Sequence, residues 1–201
     1  MFTIRREQGR LAEVAGLFRR FLDENPSDTV WRPGLAVIAS DLGFDEAARK
    51  ALADMASMGL PADARRGLTL SYLAEVCARL GDAVRAEWLY HELLPYRDNM
   101  ILAPVATVCC GAAARYLGML AGIMGNWTAA EEHFETAVAL DERMHAWPWL
   151  AHTQYEFASL LVRRGRADDR VRSNALLGAA AETTERLGMS TLQKRVDELR
   201  H

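Results

Sequence analysis

Apolar residues recur along the chain at helical spacing, in blocks separated by glycine. Ahead of Gly81, the residues Leu70, Leu73, Val76, Cys77 and Leu80 share one helical face. Beyond it, Ala86, Leu89, Tyr90, Leu93 and Leu94 do the same. Gly125 is bracketed alike, by Tyr116, Leu117, Leu120, Ala121 and Met124 before it and Trp127, Ala130, Phe134, Ala137, Val138 and Ala139 after it. Such spacing lines one side of a helix with apolar groups, so each block predicts a helix and each glycine a turn.

The punctuation is periodic. GRLAEVAGLF begins at Gly9, GFDEAARKAL at Gly43, GDAVRAEWLY at Gly81, GNWTAAEEHF at Gly125 and GRADDRVRSN at Gly165, at spacings of 34, 38, 44 and 40 residues. Each glycine falls where one helix stops and the next starts, a place that favours left-handed backbone geometry. Further start signals are Thr128 with Glu131 and Ser190 with Gln193, both capping-box spacings. Pro33, Pro61, Pro104 and Pro148 fall near expected first turns. The prediction is nine or ten helices in antiparallel pairs. Small residues (Ala48, Ala86, Ala130, and Gly118 in a first helix) admit a neighbouring helix, and Leu52, Tyr90 and Phe134 fill the space four positions on.

Composition strengthens this reading. The 201 residues include 33 Ala and 26 Leu against only 15 Val plus Ile, which favours helix over strand. A net charge of −3 argues against a direct nucleic-acid binder, which needs a basic face. No run is apolar enough to cross a membrane, and MFTIRREQGR lacks the apolar stretch of a secretory signal, so a cytoplasmic protein is expected. Cys77, Cys109 and Cys110 are expected to be reduced core thiols, the last two on a helix.

The units resemble tetratricopeptide repeats. YLGMLAGIMGNWTAAEEHFETAVAL carries the likeness best, with Leu117 and Gly118 in a first helix and Ala130, Phe134 and Ala137 in a second. The unit after Gly9 fits with Phe18, Phe21 and Pro26, whereas the one after Gly165 departs by a few extra residues before its Ala-rich helix. The stretch from Ala114 to Arg170, with WRPGLAVIASDLG from Trp31 and LLPYRDN from Leu93, is also similar to the repeat tails of bacterial signalling proteins. Those proteins join a class III nucleotide cyclase, a P-loop ATPase or a LuxR-type DNA-binding module to helical repeats. This chain has no G-x-x-x-x-G-K-[ST] loop, so the resemblance implies the repeat portion alone: a fragment, a truncated product or a standalone relative. Phe2 and Ile4 read as the end of a helix whose beginning is missing.

The resemblance implies an all-α right-handed superhelix over 1–201, in approximate units 1–28 (partial), 29–61, 62–99, 100–144, 145–188 and a closing 189–201. It also implies a concave face built by first helices. Counting from the turn glycines, its partner-facing positions are Ser71, Glu75, Arg79, Arg115, Met119, His152, Tyr155 and Arg163. Arg79, Arg115 and Arg163 are candidates for a basic track that takes a carboxylate or phosphate. Solvated side chains in internal salt bridges are the competing reading.

No catalytic constellation is visible. His91-Glu92 is not followed by the second histidine of H-E-x-x-H, His133 reads as a solvated position, and His145 and His152 lack a third ligand. No cofactor or metal is therefore expected. Trp147-Pro148-Trp149 reads as a packing feature or as the wall of a ligand pocket. The expected function is a non-catalytic module that binds a protein or peptide, including a cyclase, ATPase or DNA-binding domain of the same parent. One alternative is a small-molecule sensor lined by Trp147, Trp149, Tyr155 and Cys109; another is a self-associating scaffold.

Overall fold

A computed structural model describes residues 2–13, 16, 20, 24, 32–104 and 108–200. Most of them are helical. The helices are α1 (Phe2–Glu7), α2 (Arg32–Asp41), α3 (Asp45–Met58), α4 (Arg66–Leu80), α5 (Ala83–Leu93), α6 (Ala113–Ile123), α7 (Trp127–Arg143), α8 (Trp147–Arg164), α9 (Asp169–Leu187) and α10 (Ser190–Arg200). The Phe18, Phe21, Pro26 and Trp31 positions lie outside the described residues.

The turns show why the glycines recur. Gly9, Gly43, Gly81, Gly125 and Gly165 all have φ between 64° and 78°. At Gly81 the glycine N–H donates to Ala78 O and the Asp82 N–H to Cys77 O, the paired closure of a Schellman motif. The Asp82 side chain then accepts from Arg85 N at 3.1 Å and starts α5. Gly125 repeats the arrangement, its successor Asn126 accepting from Ala129 N at 3.3 Å. One two-residue step thus ends a helix and caps the next. Asn126, not Thr128, is therefore the cap of α7. At α10, Gln193 is engaged elsewhere, accepting from the Thr184 hydroxyl and donating to Asp197, so the Ser190 box does not form.

Helix contacts follow one scheme. Successive helices pack as pairs, α2 with α3, α4 with α5, α6 with α7 and α8 with α9. In addition α2, α4, α6, α8 and α10 each touch the next member of that row. The main apolar cluster runs between them, from Leu52 and Leu70 through Leu117 and Phe134 to Leu161. Gly118 sits against the Phe134 ring, where an added Cβ would lie 2.9 Å from its carbons. Phe134 in turn stacks on Phe157, with centroids 5.3 Å apart.

Three local expectations are corrected. The chain is not purely helical: β1 (Met100–Leu102) pairs antiparallel with β2 (Cys109–Ala112). This hairpin lies within the longest glycine interval and places Cys109 and Cys110 on a strand rather than a helix. Pro33 and Pro148 do occupy first turns, but Pro61 lies in the α3–α4 connection and Pro104 between the two strands. After Gly165 the helix begins already at Asp169 and runs unbroken for 19 residues to Leu187, so the additional residues lie within α9 rather than ahead of it.

Candidate functional site

Helix α1 lies against the row formed by α2, α4, α8 and α10, and its polar side chains hold it there. Arg6 reaches between α2 and α4. Its Nε and Nη2 donate to Asp41 (Nη2 to Oδ1 3.2 Å), and its Nη1 and Nη2 donate to Glu75 (Nη1 to Oε2 3.2 Å). The guanidinium is gripped on two edges by carboxylates from two helices, a geometry that only a planar five-donor group satisfies. The next residue, Glu7, accepts from His152 Nε2 of α8 at 3.0 Å. The Thr191 hydroxyl of α10 donates to the Arg6 carbonyl at 2.7 Å.

The cluster is largely removed from water, with side-chain exposures of 11% for Arg6 and 12% each for Asp41 and Glu75. Burial pushes the Glu75 carboxyl upward. The Arg6 charge and hydrogen bonds, aided by Arg115 and Arg79, outweigh that and hold it well below the usual carboxylate range. Burial likewise opposes ionisation of Glu7, but His152 and then Arg6 pull its carboxyl below its ordinary value. Arg79 pairs with Asp41 from the other side. Arg195 bonds Glu156 at 3.2 Å and lies 4.4 Å over the Tyr155 ring. Acids and arginines therefore alternate across this face.

The eight positions selected from sequence divide into distinct environments. Glu75, Arg79 and His152 belong to the cluster around α1. Tyr155 lies beneath Arg195. Ser71 is fully buried and donates to Leu68 O at 2.8 Å, and Met119 is part of the main apolar cluster, so neither faces a partner. Arg115, at 2% exposure, is enclosed between the Tyr116 ring (4.2 Å) and the Trp149 ring (5.2 Å). Its neighbours Glu75, Asp141 and Glu156 keep it charged despite burial. Arg163 is exposed, its guanidinium beside Gly122. With Arg79 paired and Arg115 enclosed, the three arginines do not form an open basic track. Sequence reading missed Arg6, Glu7, Asp41 and Thr191. The contacts of Arg6 with Asp41, Glu75 and the Thr191 side chain span 35, 69 and 185 residues, and no local spacing signals them.

Other candidates resolve structurally. His133 is buried and shares a 2.8 Å hydrogen bond with the Tyr90 hydroxyl, which corrects its reading as a solvated position. His145 sits in the α7–α8 turn with φ 51°, apart from His152 on the helix. Burial raises the Cys110 thiol to about 12, which makes it a poor nucleophile. Trp149 packs on Gly111, where a Cβ would stand 3.0 Å from it, while Trp147 is exposed. A pocket of about 350 Å³ opens between α1 and α8, bounded by Cys109, Pro148, Trp149 and His152; Trp147 and Tyr155 are not among its walls. No helix among the described residues is long and apolar enough to cross a membrane.

Compared with models of known families, with curated proteins and with solved structures, the chain matches none.

Proposed function

We propose that the chain is a non-catalytic interaction module, a tetratricopeptide-like right-handed superhelix. In this reading the row α2, α4, α6, α8 and α10 is its concave, partner-binding surface. The observation that carries the reading is that this row already holds a short helix, gripping one arginine, one glutamate and one main-chain carbonyl of α1. A surface that reads side chains and backbone of a bound segment has the chemistry of peptide recognition. The regular closure at the glycine turns supports the repeat architecture. In the setting that the sequence resemblance implies, the bound segment belongs to a signalling partner or to another domain of the same parent.

The test is a peptide-display selection against the whole chain, with selected peptides carrying a photocrosslinker. Crosslinks to α2, α4, α8 or α10 are expected. Crosslinks confined to α3, α5, α7 and α9 would overturn the assignment. The pocket beside Trp149 favours a second reading, a small-molecule sensor. A saturable change in tryptophan fluorescence across a metabolite panel, lost in Trp149→Phe, would establish that alternative.

A further inference from the structure

We propose that the Asp41–Glu75 cradle, with His152 and Thr191 beside it, is a recognition site for a partner segment bearing an arginine followed directly by an acidic residue. Helix α1 is its built-in, exchangeable occupant. The inference rests on the interaction-module reading and adds the chemistry of the partner.

The cradle selects its guest closely. Asp41 and Glu75 flank the guanidinium along two edges, which a lysine ammonium cannot satisfy at once. His152 donates to the residue that follows the arginine only if that residue offers an acceptor in the Glu7 position. The Thr191 contact goes to the arginine's own carbonyl and is therefore indifferent to side chain. Three contacts thus define arginine, then acid, on a defined backbone path. Beside Arg6 lies a cavity of about 630 Å³, between Leu11, Asp41, Arg79 and the α10 residues Lys194, Arg195 and Glu198, which gives room for flanking residues of a longer segment.

The occupant depends on its contacts. A six-residue helix does not stand alone. What holds α1 is the set of ion pairs just described and one apolar seat, where Phe2 lies edge-on to Tyr72 (ring centroids 6.3 Å apart) beside Ala36, Val37 and Val76. Release gives up both, and an incoming segment must replace them. With α1 gone, Asp41 keeps its pair with Arg79, whereas Glu75 loses the hydrogen bonds that Arg6 donates to it and is left seeking a donor. An arginine arriving from a partner restores what α1 takes away. The competition makes α1 an internal brake whose strength sets the apparent affinity for the partner.

The test uses the full chain and a fluorescein-labelled peptide with the sequence of residues 1–13, MFTIRREQGRLAE, followed by anisotropy. Wild type is expected to bind it weakly, and the Arg6→Ala chain about tenfold or more tightly, since its own occupant is disabled. A peptide carrying alanine at the Arg6 position should not bind, and adding Asp41→Asn with Glu75→Gln to the Arg6→Ala chain should abolish binding. An Arg6→Ala chain with wild-type circular dichroism and no gain in affinity overturns the proposal, as does binding that survives loss of both acids. Should Arg6→Ala fail to fold, a staple serves. A Cβ on Gly9 lies 3.5 Å from Ser190 Oγ, so Gly9→Cys with Ser190→Cys locks α1 in place; the left-handed backbone at Gly9 (φ 70°) strains the new cysteine, and the reduced form of the same variant carries that strain as the reference. Peptide binding should vanish on oxidation and return on reduction; undiminished binding to the oxidised form overturns exchange. A concentration-dependent dimer in sedimentation, lost in Arg6→Ala, would make the guest α1 of a second copy and overturn the partner assignment. Display-selected peptides that bind the row while the arginine–acid peptide does not would overturn this cradle alone. If neither binds, the interaction-module reading falls with it.

Discussion

Replacing glycine by alanine in the middle of two different helices should move stability in opposite directions. In an open helix, Gly→Ala stabilises by about 0.5–1 kcal/mol, because alanine loses less backbone freedom on folding. Gly178 of α9 is such a site, with nothing within 4 Å of an added Cβ. Gly118 of α6 is not: the new methyl would lie 2.9 Å from two Phe134 ring carbons and 3.0 Å from a third. Phe134 cannot simply swing aside, since it is buried and stacked on Phe157, whose other neighbours include the Arg172 guanidinium at 4.5 Å. Overpacking of this kind costs about 1–3 kcal/mol, which exceeds the helical gain. For a chain of this size, ~1 kcal/mol corresponds to roughly 2–4 °C in Tm. Gly178→Ala should therefore raise Tm by a few degrees and Gly118→Ala should lower it. Adding Phe134→Leu to Gly118→Ala should recover part of the loss, a coupling that a double-mutant cycle in urea measures. A Gly118→Ala protein as stable as wild type, or a pair of effects that simply add, would refute the close approach of α6 and α7.

Other perturbations test the remaining contacts. Asp141 of α7 accepts from Ala112 N at 3.2 Å and from the Thr153 hydroxyl at 2.7 Å, tying the hairpin to α8. Asp141→Ala orphans both donors, at about 1–3 kcal/mol each, whereas Asp141→Asn should cost far less, because an oxygen remains and burial already raises that carboxyl; equal urea midpoints for the two variants would contradict this. Ala130→Leu at the packed start of α7 should destabilise by ~1–3 kcal/mol, and an unchanged midpoint would refute the packing described at that turn. The Glu75 carboxyl is depressed in the fold, so the stability it contributes is complete above its unfolded value of about 4.3 and is lost as pH falls toward its folded value. Urea midpoints should be steady in Glu75-dependent stability from pH 8 to about 5 and fall below about 4; Glu75→Gln should flatten that acid limb, and coincident limbs would refute the ion-pair account.

What was legible in the sequence was what local geometry dictates. Gly9, Gly43, Gly81, Gly125 and Gly165 announced their turns because a positive φ restricts the residue that can stand there. Ala130 with Phe134, and Gly118 opposite, announced a close helix contact because size alternation leaves a periodic trace. The hairpin at Met100–Ala112 left no such trace, since two short strands with a single bulky alternation resemble an apolar helix end. Asn126 won the cap of α7 from Thr128 because the turn glycine fixes the first residue able to bend its side chain back. The cluster on α1 was illegible for a different reason. Register picks out Glu75 and His152, but their partners are Arg6 and Glu7, and Arg79 pairs with Asp41; these pairs form only after α1, α2, α4 and α8 have been folded to one side.

The touch between α1 and α10 also bears on the order of folding. The hydrogen bond from Thr191 to the Arg6 carbonyl closes a loop of 185 residues, among the longest that the chain can make. Stacked helix pairs otherwise gain their contacts between near neighbours, which form quickly and in any order. A contact of this span must wait until the intervening pairs are in place, so docking of α1 is a late event in folding and an early one in unfolding. Amide exchange should then report α1 and the first turn of α10 opening together, ahead of the pairs between them.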